Sequence, residues 1–212
     1  MVVDKLGFFT RILAKLGQRI IFNTSQRVNL YTTALIVQET LKLFIEIFGD
    51  FETGVAEFND ALTTGVREMI AEMLDEPIML GVGLKDVISR TPSDTISAVT
   101  VGFWALMGGE SKKLIEKPVW IPAEEAEDNI AKLVIGIKTC PFCCNMNNIE
   151  SELKEIHYGD FFALMIGGII QEIEDYVGNE FKIVAKETKC FMRGDDKGEL
   201  TLYFYPKEKK FF

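Results

Sequence analysis

The chain has 212 residues, of which 48% are hydrophobic, and a formal net charge of −9. The hydrophobic fraction is sufficient for a folded core, and the acidic balance argues against a nucleic-acid-binding protein, which normally carries a basic surface. Phenylalanine occurs 16 times. Because its ring has no polar group, it suits a core, a dimer seam or the wall of an apolar ligand site.

The N-terminal segment, residues 1–27, is basic, unlike the rest of the chain. Arg11, Lys15 and Arg19 follow at steps of four and line one helical face, while apolar residues occupy most of the remainder. This pattern predicts an amphipathic helix that docks on the protein's own core or on a dimer partner, with contact to an anionic membrane surface as the alternative. Arg11 and Lys15 interrupt the apolar stretch, which is not typical of a secretory signal.

Apolar residues recur at helical spacing in two further stretches, which predicts two long helices. The first contains Leu30, Ala34, Val37, Leu41, Ile45 and Phe48, with Ser25 as a candidate cap and Gly49-Asp50 as its end. The second contains Phe58, Leu62, Val66, Met69 and Met73, and ends before Pro77. A third helix is predicted from Asp94 through Met107, and its apolar circumference indicates burial.

No segment of the sequence predicts a membrane span. The longest uncharged apolar run lies between Asp94 and Glu110, and it is shorter than the ~18 residues that a spanning helix requires. We therefore expect a cytoplasmic protein, in which the four cysteines are thiols or metal ligands rather than disulfides.

The pattern changes after residue 116, where strands are predicted. Pro118 and Pro122 bracket a short extended piece, and residues 129–138 form a strand that leads into a polar loop. A helix then carries Phe161, Met165, Ile169, Ile173 and Val177, and ends at Gly178. Two closing strands alternate Phe181, Ile183 and Ala185, then Leu200, Leu202 and Phe204.

The polar loop contains a cysteine pair in the order Cys140-Pro141-Phe142-Cys143, followed by Cys144. Such a C-x-x-C turn brings two thiolates together for tetrahedral Zn²⁺, but it supplies only half of a site. The remaining candidates are Cys190 and His157, with Cys144 and Glu187 in reserve. Two alternatives stay open, a redox-active pair and unligated thiols, although the βαβ context of thioredoxin-like redox motifs is absent.

The sequence lacks the common catalytic patterns. There is no phosphate-binding loop, no nucleophile elbow and no H-E-x-x-H, and Gly81-Val82-Gly83 does not continue into a dinucleotide fingerprint. With His157 as the single histidine, a catalytic triad has no support from its neighbours. We therefore predict a binding protein rather than an enzyme.

The C-terminal third resembles the 4-vinyl reductase (hydrocarbon-binding) domain family, which is related in fold to subunits of the TRAPP vesicle-tethering complex. The resemblance covers roughly residues 130–206. It rests on the following features, namely Gly167-Gly168 in a helix, Glu187-Thr188-Lys189-Cys190 in a strand, the Gly194-Asp195 turn, the last strand, and a cysteine knuckle upstream. It implies an α+β fold in which N-terminal helices pack with a small antiparallel sheet, as in TRAPP subunits.

The resemblance also implies a function and a metal site. Members of the family are similar to small-molecule sensors and carriers, and some bind an aromatic effector beside a structural zinc. Glu187 and Cys190 match two zinc-ligand positions, but the next position falls near Gly198, which has no side chain, and another falls near His157. The C-x-x-C pair is the natural replacement. In a regular strand, Glu187 and Cys190 would point to opposite faces, so both can act only if the strand bends or bulges.

We therefore predict a mainly helical part, residues 1–115, with a role in dimerisation, and a second part, residues 116–212, in one compact unit. The predicted function is a non-enzymatic binding module for a small apolar or aromatic molecule, with a structural metal formed by Cys140, Cys143, His157 and Cys190. A scaffold subunit and an accessory protein of a biosynthetic enzyme are the alternatives. The predicted ligand pocket comprises Phe103, Trp104, Met107, Phe161, Phe162 and Met165. A homodimer is expected, because the apolar stretch 98–107 must be buried.

Overall fold

In a computed structural model of the protein, the described residues are 30–75, 77–79, 82–83, 88–91, 114–140 and 160–207, with Asp4, Gly7, Lys85, Asp94 and Ile96. The predictions for the basic N-terminal helix, for the cap at Ser25 and for the helix through Met107 lie outside these residues, apart from Asp94 and Ile96, which are helical. The division of the chain at residue 115 stays a prediction.

Two long helices begin the described part of the chain. Helix α1 spans Leu30–Phe48 and helix α2 spans Phe51–Asp75. Gly49 ends α1 with a φ of +82°, a conformation that glycine adopts without strain. Asp50 caps α2, because its carboxylate accepts the Thr53 N–H at 2.8 Å. The hydrogen bonds from Thr53 hold the pKa of Asp50 below its ordinary value.

Helices α1 and α2 pack side by side as a hairpin. A β-carbon on Gly54 would lie 2.5 Å from the Ile45 Cα atom, so only glycine permits this approach of the two backbones. One turn further along, the rings of Phe44 and Phe58 meet edge to face with centroids 5.7 Å apart. The hairpin thereby buries Leu41 and Phe58.

After two short strands, β1 Pro77–Met79 and β2 Val82–Gly83, the chain forms the four strands of the main sheet. These are β3 Val119–Ile121, β4 Ala131–Ile137, β5 Phe181–Lys189 and β6 Gly198–Pro206. The main sheet is antiparallel, with the strand order β3-β4-β6-β5. Strands β4 and β5 both pair with β6, with Ile137 opposite Gly198 and Lys189 opposite Glu199. Both strands therefore end at the same end of the sheet, where β6 begins.

Helix α3, Asp160–Val177, lies between this sheet and α2. Two glycines permit close contact on both sides. A β-carbon on Gly167 would lie 2.8 Å from the Ala185 Cβ atom of β5, and one on Gly168 would lie 3.5 Å from the Thr63 carbonyl oxygen of α2. The core therefore surrounds α3, and it includes Leu133, Ile135, Ile166, Ile170, Leu200, Leu202 and Phe204.

The structure confirms the predicted α+β fold of helices packed on a small antiparallel sheet. It adds a two-stranded element that the sequence did not predict, β1 Pro77–Met79 paired with β2 Val82–Gly83. These strands have two or three residues, which is too short for alternation to be visible in sequence. None of the described helices is long and apolar enough to cross a bilayer.

Candidate metal and ligand site

Cys140 and Cys190 lie at the same end of the main sheet. Cys140 follows the end of β4 by three residues, and Cys190 follows β5 directly. Both are buried, with 6% and 2% of their surface exposed. Because one strand, β6, separates β4 from β5, the ends of these two strands lie about 10 Å apart.

A bulge in β5 places Cys190 on the same face of the sheet as Glu187. Glu187 pairs with Leu200, but Lys189 pairs with Glu199, so Thr188 is an extra residue. The bulge reverses the alternation, and the extended backbone of Cys190 (φ −141°, ψ 129°) carries it back to the face that α3 covers. In a regular strand Glu187 and Cys190 would lie on opposite faces, but the bulge puts them on the same face.

The outer face of the sheet stabilises this bulge. The Thr188 hydroxyl lies 2.9 Å from a carboxylate oxygen of Glu199 and 3.0 Å from the Thr201 hydroxyl. Glu199 also forms an ion pair with Lys189, whose Nζ lies 3.6 Å from the second carboxylate oxygen. The bulge is therefore held by side-chain hydrogen bonds and an ion pair on the outer face of the sheet. The sequence alone gave no signal for its position.

A tight loop holds the backbone of Cys190. Its N–H donates to a carboxylate oxygen of Asp195 at 2.7 Å, and its carbonyl accepts the N–H groups of Arg193 at 3.0 Å and Asp195 at 3.2 Å. Gly194 has a φ of +90°, which a residue with a β-carbon would adopt only with strain. The Gly-Asp turn seen in the sequence therefore serves to fix the position of the cysteine before it.

The start of α3 is tied to the same end of the sheet. The carboxylate of Asp160 accepts the Glu187 N–H at 2.7 Å, and the side chain of Glu187 is buried with 4% exposure. Gly198 begins β6 at this end, and a β-carbon there would lie 3.1 Å from the Ile137 Cβ atom. A side chain at position 198, which matches a metal-ligand position of the similar family, would therefore press against Ile137 of the neighbouring strand β4.

The described residues alone do not complete a metal site. Among them, no group of three His, Cys, Asp or Glu side chains could hold a metal ion. Cys140, Glu187 and Cys190 thus share one end of the sheet without forming a cluster by themselves. Cys143 and His157 lie outside the described residues, and a tetrahedral zinc, which takes four ligands, would require at least one of them.

Three of the predicted pocket residues lie at the start of α3. Phe161 and Phe162 are buried with 4% and 2% exposure, and Met165 is half-buried against the same core. The ring centroids of Phe161 lie 6.5 Å from those of both Phe162 and Phe58, which is within the range of favourable aromatic contact. With Phe44, these rings form an aromatic row from α1 across α2 to α3. Phe103, Trp104 and Met107 lie outside the described residues.

The other end of α3 carries a polar network that sequence reasoning missed. Glu174 is fully buried, and the Asn179 amide donates to it at 2.6 Å. Arg90 donates to the Val177 carbonyl at 3.0 Å, which satisfies a helix C-terminus. Arg67 and Lys207 both pair with Asp175, at 3.2 and 2.7 Å. This end is therefore closed by contacts within the chain, whereas the thiols and phenylalanines lie at the opposite end.

A solved structure similar to this chain is a trafficking protein particle complex subunit 3 from Naegleria fowleri, crystallised covalently bound to palmitic acid. The TM-score is 0.51 at 17% sequence identity, and the match covers 83% of this chain and 96% of that one. The chain has a TRAPP-subunit-like fold. No protein-family model and no curated protein sequence matches the chain. The likeness at this identity is one of fold, so the TRAPP-like architecture is confirmed and membership in the 4-vinyl reductase family stays a prediction.

Proposed function

We propose that this chain is a non-enzymatic binding module for a small apolar or aromatic molecule, with a structural metal at the thiol end of its sheet. The observation that carries the proposal is the aromatic row Phe44, Phe58, Phe161 and Phe162, which runs from α1 across α2 to the start of α3. The fold adds support, because a protein of the same architecture holds palmitic acid.

The chemistry of this region suits an apolar ligand. Phenylalanine rings have no hydrogen-bonding group, and the half-buried thioether of Met165 beside them can adapt to ligands of several shapes. Each Å² of apolar ligand surface removed from water contributes roughly 25 cal/mol of binding free energy. A long or flat apolar molecule could therefore bind here through burial of its surface alone. The absence of catalytic motifs from the sequence favours binding over catalysis.

A small-to-large substitution at Met165 tests the ligand site. If Met165 borders a cavity, Met165→Phe should abolish binding of a fluorescent fatty acid, cis-parinaric acid, at little cost to stability. In a close-packed core, the same change should cost roughly 1–3 kcal/mol. Met69→Phe is the matched control, because Met69 is 41% exposed on α2 and should change neither quantity. Destabilisation by Met165→Phe without any change in probe binding would remove Met165 from the site.

The proposed metal ligands are Cys140, Cys143, Cys190 and His157, with Cys144 and Glu187 in reserve, and the proposed ion is Zn²⁺. Burial of both described thiols at one end of the sheet, and the bulge that puts Cys190 on the same face as Glu187, support this assignment. When bound, the metal would hold the ends of β4 and β5 and the approach to α3 together. Because metal binding is linked to folding, loss of a ligand should lower stability far more than a surface change.

Elemental analysis of protein purified without chelators tests the metal. About one zinc per chain is expected from four-ligand chemistry. Cys140→Ser and Cys190→Ser should lower the zinc content and the melting temperature, and the variants should no longer respond to a chelator. Met69→Ser is the control, since Met69 is 41% exposed on α2 and lies outside the candidate ligands. Metal-free protein of unchanged stability would contradict the metal half of the proposal and leave the ligand half standing.

A second candidate function is that of a protein-interaction subunit without a small ligand. The observation that favours it is the similarity in fold to a subunit of a multi-protein trafficking complex. Organic extraction of the purified protein followed by mass spectrometry separates the two candidates. A stoichiometric apolar molecule supports the binding module. An empty protein that also fails to bind cis-parinaric acid supports the interaction subunit.

A further inference from the structure

The two faces of the main sheet have different surroundings. Along β6, Leu200, Leu202 and Phe204 point to the inner face and are at most 1% exposed in the core around α3. Because side chains alternate along a strand, the residues between them point to the outer face. Six exposed or half-buried residues of that outer face, named here the outer platform, are Val119, Val134, Lys182, Lys186, Tyr203 and Tyr205.

One half of the outer platform is apolar and aromatic. Val119 of β3, which is 55% exposed, lies opposite Val134 of β4. On β6, the rings of Tyr203 and Tyr205 have centroids 6.3 Å apart, and the Nζ atom of Lys132 lies 5.3 Å from the centroid of the Tyr203 ring. These side chains form a strip across three neighbouring strands. An exposed apolar strip with polar margins is typical of a surface that binds another protein.

The margin of the strip on β5 is positively charged. Lys182 lies opposite Tyr205 of the neighbouring strand, and Lys186 follows four residues later on the same face. Both lysines are exposed, and neither forms an ion pair with a described residue. Lys189, further along β5, is instead paired with Glu199 at 3.6 Å. The outer platform therefore presents two positive charges beside its apolar strip, although the chain as a whole has a net charge of −9.

We infer that the outer platform docks an acidic amphipathic helix of a partner protein, with its apolar side on the strip and its acidic flank over Lys182 and Lys186. The inference is independent of the proposed ligand and metal. Four residues along a strand span about 13 Å. Two glutamates seven or eight residues apart in a helix lie about 10–12 Å apart along one flank, and lysine side chains bridge the difference.

The width of the sheet also suits a helix. Strands β4 and β5 lie two strand spacings, or about 10 Å, apart, which is close to the diameter of a helix with its side chains. A helix above β6 would therefore contact Tyr203 and reach Val134 on one side and Lys186 on the other. An extended anionic surface, such as a membrane, would also face the exposed carboxylates of residues 124–128, which connect β3 to β4. A single helix avoids that repulsion.

The edges of the main sheet do not favour a partner strand. On β5, the Gln171 side chain accepts the Ile183 N–H at 2.8 Å and donates to the Phe181 carbonyl at 3.0 Å, so it occupies edge groups that another strand would need. On the opposite edge, β3 has three residues between Pro118 and Pro122. Short edges and prolines prevent strand addition. A partner therefore reaches the sheet through its outer face.

Fluorescence anisotropy with a designed peptide tests the docking surface. The probe is a fluorescein-labelled amphipathic peptide of about 18 residues, which as a helix matches the length of β5, with leucines on one side and glutamates along one flank. The wild type should bind it, and Lys186→Glu should raise the Kd by about tenfold, because an attraction becomes a repulsion. Val119→Glu should also raise the Kd, through loss of an apolar contact. Lys85→Glu is the matched control and should leave the Kd unchanged, since Lys85 is an exposed lysine outside the main sheet.

A charge-swapped peptide tests the assigned contacts. When lysines replace its glutamates, the peptide should bind the Lys182→Glu/Lys186→Glu variant about tenfold more tightly than the wild type. No binding of the glutamate peptide to the wild type, or equal effects of Lys85→Glu and Lys186→Glu, would overturn the inference. Binding of the wild type to phosphatidylserine vesicles but not to the peptide would overturn it in favour of a membrane. Circular dichroism of every variant should match the wild type, and Lys186→Glu should still bind cis-parinaric acid, so failure of the docking surface and failure of the proposed ligand site are distinguishable.

Discussion

Helices α1 and α3 are both rich in apolar residues, but they lie in different surroundings. Helix α3 has the sheet on one side and α2 on the other, and its aliphatic residues Ile166, Ile170 and Ile173 are 2% exposed or less. Helix α1 packs along one face only, and Ile36 and Ile47 remain exposed. The periodicity of a sequence shows that a face is apolar, but it does not show which molecule covers that face. The apolar residues of α3 stabilise the fold, whereas the exposed ones on α1 are available for association.

Truncation of an isoleucine on each helix should give the largest contrast. Ile170→Ala removes a side chain with 0% exposure and should cost about 2–5 kcal/mol in the free energy of unfolding, because it leaves a cavity. Ile36→Ala should change that free energy by less than about 0.5 kcal/mol when measured at a concentration at which dimers dissociate. Denaturant unfolding measures both values. Similar losses for the two variants would mean that α1 is also fully packed within the single chain.

Replacing a glycine by alanine should lower the free energy of unfolding at one position on α3 and raise it at one position on α2. Gly167→Ala puts a methyl group 2.8 Å from the Ala185 Cβ atom, and the overpacking should cost roughly 1–3 kcal/mol. Gly65→Ala meets nothing within 4 Å, and should gain up to about 1 kcal/mol from the higher helix propensity of alanine. Thermal unfolding of both variants tests the contrast. Stabilisation by Gly167→Ala would show that α3 and β5 can move apart without cost.

A glutamine on each helix gives a smaller contrast. Gln171→Ala on α3 removes the hydrogen bonds to Phe181 and Ile183 and exposes the edge of β5, which should cost about 1–2 kcal/mol. Gln38→Ala on α1, where the glutamine side chain makes no hydrogen bond among the described residues, should be nearly neutral. Hydrogen exchange of the Ile183 amide provides the second measurement. Unchanged protection of that amide in Gln171→Ala would contradict the hydrogen bond between the Gln171 side chain and the Ile183 N–H.

The smallest effect is expected at the turn between α1 and α2. The pKa of Asp50 is lowered by its hydrogen bonds to Thr53, so the cap contributes stability above the pKa of the unfolded carboxyl and loses it as the pH falls through the lower folded pKa. Asp50→Ala should therefore be less stable than the wild type near neutral pH, and the difference should shrink under acid conditions. A difference that does not change with pH would exclude the ionised carboxylate as the cap.

The sequence predicted most of the described helices and strands, but it did not predict which of their residues contact one another in the folded chain. Glycines with positive φ end α1 at Gly49 and α3 at Gly178, because glycine adopts this conformation without strain. Prolines bracket β3, because proline fixes φ and has no N–H to donate. The bulge at Thr188 had no local signal, since it depends on Glu199 and Thr201 in another strand. The burial of Glu174 had none either, because a single acidic residue within a helix does not show how the helix packs. The exposure of Ile36 and Ile47 on α1 depends on tertiary packing for the same reason.

The metal site and the ligand pocket stay predictions, although the structure shows where some of their residues lie. The sequence singled out Cys140, Cys190 and Glu187, and the structure brings them to one end of the sheet because β4 and β5 run in the same direction. The requirement for a bulge followed from strand geometry alone, and the register of β5 meets it. The positions of Cys143 and His157, and of Phe103, Trp104 and Met107, stay predictions.

Native mass spectrometry of the purified protein tests the central claim most directly, because one spectrum reports bound ligand, bound metal and the number of subunits. The account predicts the mass of a dimer carrying zinc and an apolar adduct, with the adduct and the metal both lost under denaturing conditions. A bare chain mass in the native spectrum, unchanged after addition of cis-parinaric acid and zinc, would contradict it.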